Sequence, residues 1–106
     1  MTKYATKHQR RANTRTEESH EVDQQLGKME DDIRKLKIDF DIYFNGATKR
    51  PPLEARARLD SFIKRLNDNR NLSFAQRYLL NTLVARFVSH REQWRRQLKA
   101  KGEELL

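Results

Sequence analysis

Apolar residues in the first half of the chain alternate at spacings of four and three, the pattern of helices packed lengthwise on one another. This first apolar track consists of Val22, Leu26, Met29, Ile33, Leu36, Phe40 and Tyr43. At 1.5 Å per residue it predicts a helix longer than ~30 Å. We expect the helix to begin between Thr14 and Ser19, since Thr14 and Glu17 have capping-box spacing. It should end at Asn45 and Gly46, which tolerate the left-handed backbone found just past a helix C-terminus.

A shorter second helix is predicted from about Pro52 to Asn67. Proline suits the first position of a helix, because its missing N–H would have no partner there. The apolar face of this helix consists of Ala55, Leu59, Phe62, Ile63 and Leu66. The asparagine-rich segment that starts at Asn67 has the composition of a turn.

The third predicted helix opens at Ser73, where Gln76 completes a capping box, and stops near Gly102. A second track with the same four-three spacing runs through it: Leu80, Val84, Phe87, Arg91, Trp94, Leu98, Lys101 and Leu105. Arg91 and Lys101 are basic, so we expect their charged ends to reach water along the edge of the seam.

These elements predict an all-α fold, a long helical hairpin of helices one and three with a short middle helix, packed as a bundle. In an up-down-up bundle helices one and three would be parallel. If helix two lies across the turn, they are antiparallel. We favour the antiparallel form because it would cover Ile38 and Ile42, which lie opposite Phe40. It would also set the acidic stretch of helix one against the basic stretch of helix three.

Composition fits long helices better than a deep core. Hydrophobic residues and charged residues each make up 36% of the 106-residue chain, and only three Gly and two Pro occur. Residues 1–16 are nearly devoid of apolar side chains and rich in cations, Arg10 and Arg11 among them, so they predict a disordered basic arm. Residues 17–106 are expected to form a single three-helix domain.

Enzyme chemistry finds little support in the sequence. The absence of cysteine excludes a disulfide framework and a thiolate metal site. The three histidines, His8, His20 and His90, have no HExxH-type spacing, and no glycine-rich loop is present to cradle a phosphate. We therefore expect no catalysis, no metal and no cofactor. No apolar run approaches the ~20 residues that cross a bilayer, so we expect a cytoplasmic protein with no membrane partner.

The positive charge is concentrated in the second half of the chain. The net charge is +8, and residues 49–101 hold fourteen Lys and Arg against four Asp and Glu. Arg91, Arg95 and Lys99 follow at intervals of four, on one helix face with Arg77, while Glu92 is expected to pair with Arg96. Like charges at this spacing repel by a few tenths of a kcal/mol per pair, and Arg binds phosphate in a bidentate manner. The stripe therefore favours an anionic partner.

The sequence thus predicts a binding module for a polyanion, nucleic acid or a ribonucleoprotein surface, recognised without sequence specificity. The predicted anion-binding residues are Arg77, Arg91, Arg95, Lys99, Lys49, Arg50, Arg10 and Arg11. In the opposing interpretation, the stripe pairs with Glu30, Asp31 and Asp32 of helix one, or its side chains are simply solvated. A second class of function is a coiled-coil interaction or assembly module, with a partner helix or a homodimer at the apolar seams.

Four aromatic residues of helix three allow a further choice between stacking on bases and packing in the core. They are Phe74, Tyr78, Phe87 and Trp94. Aromatic residues at helical spacing are more often core residues, and we expect that here.

Overall fold

The computed structural model describes the backbone of residues 6–102 and the side chains of residues 16–102. Over that range it contains three helices, α1 (Thr6–Phe44), α2 (Leu53–Asn67) and α3 (Phe74–Ala100), and no strand. The predicted all-α, three-helix class is confirmed. The molecule is elongated, with principal extents of 66 × 22 × 17 Å, so its two ends are well separated.

Helix α1 begins earlier than expected. It starts at Thr6, so Thr14 lies inside the helix, and residues 6–16 of the predicted arm have helical backbone. The remainder of that arm, residues 1–5, lies outside the described residues. No Gly or Pro interrupts the sequence between Thr6 and Val22, so a helix stabilised by packing further along can extend through this segment.

Contacts between α1 and α3 show that the two helices run parallel. From the N-terminal to the C-terminal ends of both helices, the contacting pairs are Asp23 and Gln76, Glu30 and Arg86, Phe40 and Trp94, and Tyr43 and Lys101. Helix α2 runs in the opposite direction to both, with Phe62 beside Lys28 of α1 and Asp60 beside Arg91 of α3. The favoured antiparallel arrangement is therefore wrong, and the up-down-up alternative is correct.

The short connections and the exposure of Ile38 and Ile42 explain why the antiparallel form does not occur. The connections 45–52 and 68–73 are short enough to make successive helices antiparallel neighbours, so two reversals return α3 to the direction of α1. Ile38 and Ile42 receive no cover and remain 52% and 38% exposed. Single exposed apolar side chains are common on folded proteins, so these two isoleucines did not require a covering helix.

The core follows the predicted tracks closely. All seven residues of the first apolar track are buried, as are Leu59, Ile63 and Leu66 of α2. The buried apolar residues of α3 are Leu80, Leu83, Phe87, Trp94 and Leu98. The rings of Phe40 and Trp94 stack with centroids 4.2 Å apart and join α1 to α3. Of the remaining slots in the second track, Val84 is half-buried, and Leu105 lies outside the described residues.

The predicted helix ends are confirmed at three of the four internal boundaries. Gly46 has a φ of +85°, and the N–H groups of Gly46 and Ala47 donate to the carbonyls of Tyr43 and Ile42, forming a Schellman motif. At the start of α3, the Ser73 hydroxyl accepts from the Gln76 N–H at 3.1 Å. The Asn71 N–H donates to the Asn69 side chain at 2.8 Å, as in an Asx turn. Pro52 precedes α2 as its N-cap residue without a side-chain cap.

Gln76 fixes the register of α3 on α1. It is the buried polar side chain of the described region. Its Oε1 accepts from the Ser73 N–H at 2.9 Å, while its Nε2 donates to the Ser19 carbonyl at 3.1 Å and to Asp23 Oδ1 at 2.9 Å. A buried amide is tolerated only when it is hydrogen-bonded in this way, so the cap also locks the two helices at one relative height.

Candidate polyanion-binding site

Parallel packing gathers positive charge at one end of the bundle. The C-termini of α1 and α3 meet where Lys101 Nζ lies 4.5 Å from the Tyr43 ring centroid, and the α1–α2 loop starts there. We call residues 37–58 and 88–102 the basic end. It holds ten Lys and Arg against four Asp and Glu, whereas residues 16–36 and 59–87 hold eight against nine. Over residues 16–102 the chain is therefore strongly positive at one end and nearly balanced at the other. Lys7, Arg10, Arg11 and Arg15 lie in the first turns of α1, beyond the balanced end.

Several cations of the basic end are exposed and make no ion pair with a carboxylate of the described region. They are Lys49, Arg50, Arg58, Arg96, Lys99 and Lys101. Lys101 instead contacts the Tyr43 ring. Since an unpaired surface cation keeps its hydration and its field, this set can receive an anion without first breaking a salt bridge.

Arg91 belongs to the interface between α2 and α3. Its Nη1 donates to Asp60 Oδ1 at 3.1 Å, and its guanidinium lies 5.6 Å from the Phe87 ring centroid. The same carboxylate also accepts from Arg56 at 3.4 Å. Arg91 is half-buried, so its guanidinium stabilises the contact between α2 and α3 instead of presenting its charge to a ligand.

Arg91 therefore pairs with a carboxylate of α2 and not with the acids of α1 that the opposing interpretation named. The acids of α1 that were expected to neutralise the stripe make other pairs. These are Glu30 with Arg86 at 3.6 Å, Asp31 with Arg34 at 3.2 Å, and Asp32 with Lys28 at 2.7 Å.

Arg77 closes the turn between α2 and α3. Its Nη1 donates to the carbonyl and side-chain oxygens of Asn67 at 3.1 and 3.0 Å, and its Nη2 donates to the Asn69 carbonyl at 2.7 Å. This turn lies at the opposite end of the bundle from the α1–α2 loop. The structure thus separates Arg77 from the predicted site residues of the basic end, and its donors are bound to Asn67 and Asn69.

Arg95 and Lys99 remain on the surface. Arg95 Nη1 lies 3.6 Å from Glu92 Oε1, but the arginine side chain is 63% exposed, and such a pair contributes at most about 1 kcal/mol. Glu92 therefore pairs with Arg95 instead of Arg96, which leaves Arg96 without a carboxylate partner among the described residues. The doublet of Arg95 and Arg96 in the sequence was the signal for this additional cation. The structure describes side chains from residue 16 onwards, so those of Arg10 and Arg11 lie outside the described part.

The aromatic residues of α3 divide into two groups. Phe87 and Trp94 are buried, as expected, but Phe74 and Tyr78 are 90% and 70% exposed, so the expectation of core packing is wrong for them. Both exposed rings lie in the first turns of α3, away from the basic end. At the basic end, every described aromatic side chain is buried or half-buried. Cations and exposed rings are thus not combined in one surface.

A second positive surface lies in a groove of about 580 Å³ between α1 and α2. Its cations are Lys28, Lys35, Arg58 and Arg65, and its acids are Asp32 and Asp39. The half-buried ring of Phe62 has Lys28 Nζ 5.8 Å and Arg65 Cζ 5.9 Å from its centroid. The two carboxylates reduce the net charge of the groove, so it is secondary to the basic end.

His90 lies on α3 within the basic end and is half-buried. Its ring stacks on Trp94 at 5.6 Å. Burial lowers the pKa of His90, and the cations Lys37 and Arg86 lower it further, against a smaller opposing effect of Asp41. No group of three or more His, Asp and Glu side chains within residues 16–102 could hold a metal ion.

In the part of the chain that the structure describes, no helix has the length and apolar character needed to cross a membrane. Comparison with known proteins gives no match to a family model, to a curated protein or to a solved structure.

Proposed function

We propose that the chain is a non-enzymatic binding protein that holds a polyanion, specifically nucleic acid, at the basic end. The observation that carries this proposal is the set of exposed cations without carboxylate partners in the α1–α2 loop and the last turns of α3. The residues assigned to the contact are Lys49, Arg50, Arg96 and Lys99. Arg95 is added to them because its pair with Glu92 is exposed and weak. Arg77 and Arg91 are not assigned to it, because their donors already stabilise the bundle.

The proposed contacts are to phosphates rather than to bases. Neutralising phosphates releases condensed counterions, so affinity falls with salt, with a slope of about −0.9 per contact in log–log form for duplex DNA. Since no aromatic ring is exposed at the basic end within the described residues, base stacking does not contribute there. We therefore expect binding that tolerates any sequence and is strongly reduced between ~50 and ~200 mM salt.

The test measures binding of a fluorescent duplex of ~20 base pairs, and of one of its strands, by anisotropy over that salt range. The basic-end variant carries Lys49→Gln, Arg50→Gln, Arg96→Gln and Lys99→Gln. The matched control carries Lys35→Gln, Lys64→Gln, Arg65→Gln and Arg70→Gln. The control positions are also exposed and lack a carboxylate partner in the described region, so both variants lose four positive charges.

We expect the basic-end variant to bind at least ~10-fold more weakly at ~50 mM salt and its slope to fall by about three to four. The control should stay within about threefold of the original chain, since charges separated by more than ~14 Å are largely screened at ~50 mM salt. Equal losses in both variants would show that net charge alone is responsible and would reject the basic end as the site. Absence of binding by the unaltered chain at ~50 mM salt would reject the function itself.

A further inference from the structure

The first turns of α1 hold a group of positive charges at the opposite end of the molecule from the basic end. Residues 6–16 have helical backbone and contain no Asp or Glu. Their cations, which we call the N-terminal cluster, are Lys7, Arg10, Arg11 and Arg15. Lys7, Arg11 and Arg15 follow at intervals of four, so the helical register places them on one face. Like charges at this spacing repel each other, and an anion bound to them would relieve that repulsion.

The apolar track of α1 does not continue through this segment. Extending its spacing of four and three back from Val22 gives polar or small residues: Ser19, Arg15, Ala12 and His8. Gln76, in the first turn of α3, is hydrogen-bonded to Ser19 and Asp23. Residues 6–18 therefore extend about 20 Å along the helix axis beyond that level. The segment lacks the seam that packs one helix on another, whereas its run of cations favours a polyanion.

An acidic stretch of α1 follows the N-terminal cluster directly. Residues 17–27 hold no Lys or Arg, and their four acidic residues are all exposed: Glu17, Glu18, Glu21 and Asp23. The next cation along α1, Lys28, is paired with Asp32 at 2.7 Å. A polyanion that ran along α1 from one end to the other would be repelled by these carboxylates.

The remaining surface between the two ends carries mixed charge. Residues 28–36 and 59–87 hold eight Lys and Arg against five Asp and Glu. Lys28, Arg34 and Arg86 of this set are paired with carboxylates, and Arg77 is bound to the α2–α3 turn. Uncompensated cations are thus concentrated at the two ends of the 66 Å molecule.

We infer that the chain bridges two segments of nucleic acid, one at the basic end and one at the N-terminal cluster. The inference rests on the proposed function, because it takes the ligand of the basic end to be nucleic acid. Phosphates are the groups bound at both sites, without reading of the base sequence. The N-terminal cluster has four cations, fewer than the basic end, so it is the weaker site and contributes little to the affinity for a single duplex.

The distance between the two sites allows both to be occupied. Arg11 in the N-terminal cluster and Tyr43 beside Lys101 are 32 residues apart on α1, which is about 48 Å along the axis. Charges are largely screened beyond ~14 Å at ~50 mM salt. A duplex bound at one end therefore changes the electrostatic potential at the other end very little.

Capture of a second duplex tests the inference. One hairpin with a stem of ~10 base pairs is immobilised on beads, and a fluorescent hairpin of the same length is free. Each stem is ~34 Å long, too short to reach from one site to the other. At ~50 mM salt the chain should retain the fluorescent hairpin on the beads. A large excess of chain should release it, because each hairpin then binds a chain of its own.

The N-terminal variant carries Lys7→Gln, Arg10→Gln, Arg11→Gln and Arg15→Gln, and Gln preserves the helix. We expect it to capture at least ~10-fold less hairpin. Its binding of a single ~20-base-pair duplex by anisotropy should stay within about threefold of the original chain. The matched control loses four exposed cations between the two ends and should capture normally. It carries Arg34→Gln, Lys35→Gln, Lys64→Gln and Arg65→Gln.

Three results would overturn the bridge and leave the proposed function intact. The first is binding in the anisotropy titration with no capture at any ratio of chain to hairpin. The second is undiminished capture by the N-terminal variant, which would show that chains joined to each other hold the two hairpins. The third is an equal loss of capture in the control, which would attribute capture to net charge. Absence of binding in the anisotropy titration would reject the proposed function and the bridge together.

Discussion

Two phenylalanines of the same chain offer a direct test of which faces of the helices are packed. Phe40 is fully buried and stacks on Trp94 across the α1–α3 contact, whereas Phe74 is 90% exposed on the outer face of α3. The perturbation is the same in both cases, truncation of the ring to Ala. Any difference in effect therefore arises from the environment of the ring and not from the chemistry of the substitution.

The expected magnitudes differ widely. Truncation of a buried Phe to Ala costs ~3–5 kcal/mol, which includes the cavity left behind. A surface substitution away from special features changes stability by no more than about 0.5 kcal/mol. Because a domain of this size has about 5–15 kcal/mol of stability in total, Phe40→Ala should remove a large part of it and Phe74→Ala almost none.

Urea unfolding at low protein concentration measures both effects. Far-UV circular dichroism follows the helices, and the fluorescence of Trp94, the single tryptophan, follows the core. A cost above ~2 kcal/mol for Phe74→Ala in the monomer would show that the outer face of α3 is packed within one chain. A cost below ~1 kcal/mol for Phe40→Ala would show that α1 does not pack on α3 as described.

Three further predictions address other parts of the molecule. Arg77→Ala should destabilise the chain by ~1–2 kcal/mol, because it removes hydrogen bonds to Asn67 and Asn69, and should leave the anisotropy titration with nucleic acid unchanged; weaker binding without destabilisation would contradict this role. Gly46→Ala should cost ~1 kcal/mol in thermal or urea unfolding, since Gly46 has a positive φ that Ala adopts poorly; a neutral effect would argue against the Schellman end. Because burial and nearby cations lower the pKa of His90, the unfolded chain binds a proton that the folded chain excludes between that lowered pKa and about 6.5. Stability should thus fall as the pH drops below about 6.5, and His90→Gln should flatten this part of the curve; identical pH profiles would refute the assignment.

The parts of the fold that depend on local sequence could be predicted from it. The first apolar track sets which face of α1 is buried, whatever the fold around it. The end of that helix at Gly46 and the cap formed by Ser73 and Gln76 depend on backbone geometry within a few residues. The start of α1 differs from the prediction because a capping-box spacing at Thr14 does not prevent the helix from extending further towards the N-terminus. No Gly or Pro precedes Thr14 to stop it.

The direction of α3 relative to α1 could not be read from spacing, because an alternation of four and three residues is the same in either orientation. The antiparallel orientation was preferred on the expected burial of Ile38 and Ile42 and on the expected pairing of acidic and basic stretches. Both expectations were misleading. Ile38 and Ile42 remain exposed, and the acids of α1 pair with cations on α1 itself or with Arg86.

The candidate site was only partly accessible to sequence reasoning for the same reason. Arg91 and Arg95 occupy one face of a helix at an interval of four, but only the placement of α2 decides that Arg91 meets Asp60. The gathering of Lys49 and Arg50 at the same end as Lys99 likewise follows from the parallel arrangement. Spacing alone likewise does not show that Phe74 and Tyr78 stay exposed at the start of α3.

The parallel course of α1 and α3 is the claim on which the basic end depends, and a pair of distances between spin labels tests it most directly. The chain has no cysteine, so labels can be attached at Thr48→Cys with Ala100→Cys, and at Thr48→Cys with Ala75→Cys. Ala75 and Ala100 are about 37 Å apart along α3. Parallel helices predict a short distance from the loop to position 100 and a distance longer by roughly 20 Å or more to position 75. The reverse order of the two distances would place the loop cations away from the C-terminal turns of α3 and contradict the account.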